Sequence, residues 1–271
     1  MNTPCPENED RHRWAKAVFV AALFLVSFLS LALVRLIPGY EAWVRAHGTL
    51  PWWVENALRP LVPVCVGLLV LRGAKPRAWA AALGLDRPIL PALGLAAALT
   101  LPMTVLPLLI GVRPNLELSF VRQLFGAGIW PLAEEINFRG FAFGQIYLYS
   151  GLGFWPAGLL TSVLFGVGHM ANAAAAGLAL QGQLINAGIV GLSALGLAWL
   201  YVSWNRNLWL VFFLHALGNL GGAMYMTGSV AVGDSRFIAL LAATLVLALG
   251  VTALRKRWSW SDRVMGRPGP L

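Results

Sequence analysis

The chain has 271 residues, 58% of them apolar and only 11% charged, with a net charge of +9 and a positive mean hydropathy. A soluble domain typically carries about 25% charged residues, so the composition excludes an ordinary soluble protein and leaves an integral membrane protein. The basic residues gather just outside apolar runs, where they set topology and meet anionic headgroups. No basic module with interleaved aromatics is available for nucleic acid.

A helix needs about 20 mainly apolar residues to cross the hydrocarbon core. On that ruler the sequence predicts an all-α polytopic transmembrane bundle of eight spans: 15–36, 52–71, 89–110, 121–147, 153–172, 183–203, 207–227 and 236–254. They form a single transmembrane domain over 15–254, between a polar N-terminal tail (1–14) and a basic C-terminal tail (255–271), and both tails are expected to be poorly ordered. The first run, from Trp14 to Leu36, is longer than a signal-peptide core and reads as a retained anchor. Pro60 and Pro63 interrupt the second span, and Pro102 and Pro107 predict kinks in the third. Cys5 and Cys65 lie far apart, with no spacing for a disulfide framework or a thiolate metal site. Trp52, Trp53, Trp79, Trp155, Trp204, Trp209, Trp258 and Trp260 fall near span ends, where indole rings favour the interface.

Orientation follows the Lys and Arg count at the span ends. Thirteen basic residues, among them Arg11, Arg13, Lys16, Arg72, Arg257, Arg263 and Arg267, share one side, against six, including Arg35, Arg45 and Arg59, on the other. Both termini are therefore expected in the cytoplasm, and a bacterial cell membrane is the expected location.

The fourth span contains the most informative feature, the adjacent pair Glu134-Glu135 followed by Arg139. An ionisable group at the membrane centre costs about 2.5–3.5 kcal/mol on insertion scales, so such a pair needs partners or a wet cavity. Glu135 and Arg139 are four apart, share a helical face and can neutralise each other. Glu134 is turned about 100° away, toward a different space. Two later spans add Phe165 with His169 and His215 with Asn219, again four apart.

The chemistry these types support is hydrolysis. Glu134, helped by His169, can take a proton from water attacking a peptide carbonyl. His215 and Asn219 are donors for the resulting oxyanion. Glu135 with Arg139 has a supporting role, holding the helix and Glu134 in place. Taken alone, Asn219 would more often be interhelical glue, and Phe165 is expected to pack whatever the function.

The ordered set Glu-Glu-x-x-x-Arg, Phe-x-x-x-His, His-x-x-x-Asn on separate spans resembles the CPBP family, which comprises type II CAAX prenyl endopeptidases and bacterial relatives linked to bacteriocin processing or self-immunity. The resemblance covers about 130–220 within a motif-bearing core of 121–227. It implies a helical membrane core with the site between spans 4, 5 and 7. It also implies intramembrane endopeptidase activity on a membrane-associated protein or peptide, with Glu134 and His169 activating water and His215 and Asn219 stabilising the oxyanion. No cofactor is expected. One alternative is a zinc protease with Glu134, His169 and His215 as ligands of an open site, although HExxH is absent. Another is a non-enzymatic immunity or scaffold protein of the same family.

Overall fold

A computed structural model describes residues 6–34, 37–47, 49–109, 111–115, 117, 119–175, 177–225 and 235–256. Cys5, Arg35, Arg257, Trp258, Trp260, Arg263 and Arg267 lie outside the described residues, as does most of the basic C-terminal tail. Every regular element among the described residues is helical.

The first half comprises α1 (Pro6–Leu33), α2 (Tyr40–His47), α3 (Thr49–Leu58), α4 (Leu61–Arg72), α5 (Pro76–Leu83), α6 (Ile89–Leu99), α7 (Leu101–Thr104) and α8 (Leu106–Leu109). α1 starts inside the stretch expected as a polar tail. Proline at the first helical position and acidic residues in the next turn suit a helix N-terminus. The third expected span is broken into α6, α7 and α8. Pro102 and Pro107 cannot donate to the helical ladder, and Thr100 turns its hydroxyl back onto the Ala96 and Ala97 carbonyls at the break.

Residues 120–150 are helical throughout, but the turns are not uniform: α9 (Phe120–Gln123), a π segment (Leu124–Ile129), α10 (Trp130–Glu135), a second π segment (Ile136–Phe143) and α11 (Gly144–Ser150). Pro131 at the head of α10 lacks an N–H and crowds the preceding turn, which widens to accept it. In the second π segment the freed Gly140 carbonyl accepts from Gln145 Nε2 at 3.1 Å, and the same nitrogen bonds Ala82 O at 2.9 Å. Widened turns of this kind occur mostly at functional sites; here they flank the two glutamates.

The remainder is α12 (Phe154–Gly168), α13 (Met170–Ala175), α14 (Leu180–Ser203), α15 (Leu208–Tyr225) and α16 (Ser235–Lys256). Five stretches among the described residues are long and apolar enough to cross a membrane: Arg11–Ser30, Trp53–Arg72, Phe154–Ala174, Leu180–Ser203 and Leu208–Tyr225. Ile89–Leu99 and Ile238–Leu254 are shorter apolar helices. The protein is thus a multi-pass integral membrane protein. Of the eight expected spans, the third is divided by its prolines, the fourth is laden with charge and the eighth is a shorter apolar helix.

Two close approaches position the site. α12 runs along α14, and a Cβ on Gly166 would stand 2.2 Å from the Ala187 carbonyl oxygen, so only glycine permits this spacing. The turn before α15 is clamped to the end of α5: Gly84 has φ +78°, and a Cβ there would lie 1.8 Å from Arg206 O. Leu208 N donates to Gly84 O at 3.1 Å and Trp209 Nε1 to Leu85 O at 3.0 Å, which fixes where α15 begins.

Candidate active site

The helix over 120–150 presents its neighbouring carboxylates to different surroundings. The Glu135 side chain is fully buried, whereas that of Glu134 is 35% exposed. Arg139 lies one turn on and is almost fully buried, its Nη1 3.1 Å from Glu135 Oε1. That approach is an ion pair without hydrogen-bond geometry, because Arg139 Nη1 and Nη2 and Glu135 Oε2 are all buried with no hydrogen-bond partner.

α15 supplies a partner that the sequence reading did not assign to Glu135. His215 Nδ1 lies 2.8 Å from Glu135 Oε1 and donates to it, and Nε2 of the same ring is 3.7 Å from Glu134 Oε2. His215 thus sits between the two carboxylates. The obvious spacing of four hid this contact, because Arg139 already accounted for Glu135 within its own helix. One turn further on, Asn219 Nδ2 donates to Gly126 O at 3.1 Å. That carbonyl belongs to the first π segment. An amide nitrogen carries two hydrogens, so the bond orients Asn219 and leaves its second N–H for another acceptor.

α12 contributes Phe165 and, at its C-terminal cap, His169. His169 Nδ1 is 2.8 Å from the Phe165 carbonyl oxygen, which can only accept. The proton is therefore on Nδ1, and the neutral ring offers Nε2 as an acceptor. Phe165 is buried at the hub of the cluster. The Arg139 guanidinium lies 4.4 Å over its ring, His169 is 4.5 Å away, His215 6.2 Å, and Phe138 meets it edge-on at 4.8 Å. A cation over an aromatic face is attracted by the ring quadrupole, the more so away from water. Phe165 therefore does more than fill space: it supports one face of the arginine and spaces the two imidazoles.

A cavity of about 180 Å³ brings Arg139, Phe165, His169, His215 and Asn219 to one wall-bounded space. Glu134 is not in its lining and meets the group through His215. The cavity also takes residues from α14 and α16, including Ser193, Leu197, Thr244 and Ala248, which the sequence reading left out. Thr244, one of two hydroxyls with Thr252 in the mainly apolar span 236–254, was the available signal. Among the described residues, no group of three His, Cys, Asp or Glu side chains is placed to hold a metal ion. Trp130 does not line the cavity; its indole donates to Trp53 O at 3.0 Å and packs against the Trp53 and Phe125 rings.

The class this defines is a multi-pass helical membrane protein with a buried Glu135–Arg139 pair, two part-buried imidazoles and the Asn219 amide gathered at one cavity. Residues 116–221 match the family model described as type II CAAX prenyl endopeptidase Rce1-like, which points to a CAAX-type intramembrane protease. The match contains every residue of the three motifs. No curated protein and no solved structure matches the chain.

Proposed function

We propose that this chain is an intramembrane endopeptidase of glutamate type that hydrolyses a peptide bond of a membrane-associated protein or peptide without a metal cofactor. The observation that carries the reading is the division of labour between the two glutamates: Glu135 is sealed against Arg139 and His215, while Glu134 remains accessible beside His215. In this reading a water molecule gives its proton to Glu134, with His169 Nε2 as the second acceptor, and its oxygen attacks the peptide carbonyl carbon. The oxyanion receives hydrogen bonds from His215 Nε2–H and the free N–H of Asn219. Since His215 Nδ1–H is directed to Glu135, donation from Nε2 requires the doubly protonated ring, and the flanking carboxylates supply its counter-charge. Collapse breaks the C–N bond, and the proton held at Glu134 passes to the leaving amine. The protein acts from a bacterial cell membrane with both termini in the cytoplasm.

The test is cleavage of candidate peptides by the protein in proteoliposomes, wild type against Glu134→Gln. A general base typically contributes about 10²–10⁴-fold, and a loss of that size is expected. Undiminished cleavage by the variant overturns the reading. Cleavage is also expected to survive a strong chelator; loss restored by added zinc transfers the activity to a metal mechanism.

A further inference from the structure

The cavity has a wall for which the proposed chemistry has no use. Leu241, Thr244, Leu245 and Ala248 of α16 line it at the spacing of one helical face, and none of them is a reacting group. α16 lies outside the matched stretch 116–221. Resting on the proteolytic reading, we propose that the cavity is a specificity pocket that receives one apolar side chain of the substrate next to the scissile bond, and that α16 sets the size accepted.

Size and chemistry both support one side chain. The cavity is about 180 Å³. An apolar cavity of about 150 Å³ holds a single benzene, whereas sites for larger ligands run to roughly 300–1,000 Å³. A Leu, Ile or Phe side chain fits this space and a long isoprenoid chain does not. Away from the motif residues the lining is aliphatic apart from Met103 and two hydroxyls. Ser193 already donates to Ile189 O at 2.9 Å, and Thr244 Oγ1 is buried without a partner. An apolar occupant asks nothing of the Ser193 hydroxyl, which is already paired.

The experiment uses the whole protein in liposomes with a set of hydrophobic peptides varied at one position, products being read by mass spectrometry. Wild type is expected to cleave beside Leu, Ile or Phe and to refuse Trp. Leu245→Ala should shift preference toward the larger residue, and Ala248→Phe should restrict it to Ala or Gly, each by roughly tenfold or more. A second readout does not depend on turnover: a peptide carrying photo-leucine, irradiated with the Glu134→Gln protein, should crosslink to α16, and Ala248→Phe should abolish that crosslink. If wild type cleaves nothing yet the α16 crosslink forms and is blocked, the peptidase reading fails and the pocket stands. Unchanged profiles, or crosslinks that avoid α16, overturn the pocket whatever the cleavage rate.

Discussion

The molecule contains the same pair of residues twice. Glu55 and Arg59, like Glu135 and Arg139, are a glutamate and an arginine one helical turn apart. Around the first pair every charge is answered. Glu55 accepts from Tyr40 Oη at 3.0 Å, from Asn56 Nδ2 at 3.2 Å and from Arg59 Nε, while Arg59 also donates to Ser30 Oγ and Asn56 Oδ1. Both side chains are partly exposed. This network ties α1, α2, α3 and the α3–α4 turn together. Around the second pair the burial is nearly complete, yet both terminal nitrogens of Arg139 and one oxygen of Glu135 lack hydrogen-bond partners. Buried polar atoms are ordinarily satisfied, and the exceptions call for a reason. A satisfied, half-wet pair staples helices; an under-satisfied, dry one beside a cavity marks where a substrate or water belongs.

Four experiments break or sharpen that contrast. Glu135→Ala should be the most damaging to folding, because it strands a buried guanidinium and unties His215; breaking a buried pair costs about 3–5 kcal/mol. Thermal unfolding in detergent would register it, and Glu135→Leu with Arg139→Met should recover much of the stability but none of the cleavage. Asn219→Ala should leave the unfolding temperature almost unmoved and lower the turnover rate by about 10²–10³, the usual effect of one oxyanion donor; equal turnover would remove Asn219 from the mechanism. Gly166→Ala forces α12 from α14 and should destabilise by about 1–3 kcal/mol, as overpacking does, measurable as an earlier unfolding midpoint. Arg59→Met, at the satisfied and partly exposed pair, should cost about 1 kcal/mol or less and leave cleavage kinetics unchanged. A large kinetic effect there would show that the two pairs are not different in kind.

Much of this was legible in the chain itself. Hydropathy and length announce a helical membrane protein, since a bilayer admits few other solutions for an apolar backbone. Spacings of four announce Glu135 with Arg139, Phe165 with His169 and His215 with Asn219, because the helix alone determines which residues share a face. Prolines 102 and 107 mark the broken third span for an equally local reason. What required tertiary structure was every contact made between helices. Docking of α15 against residues 120–150 joins His215 to Glu135 and Asn219 to the Gly126 carbonyl, and packing of α12 sets Phe165 beneath Arg139. Folding of α14 and α16 over the cavity brings in Ser193 and Thr244. Periodicity speaks only for neighbours along one helix; which faces meet, and what space they enclose, is decided by side-chain packing between segments far apart in sequence.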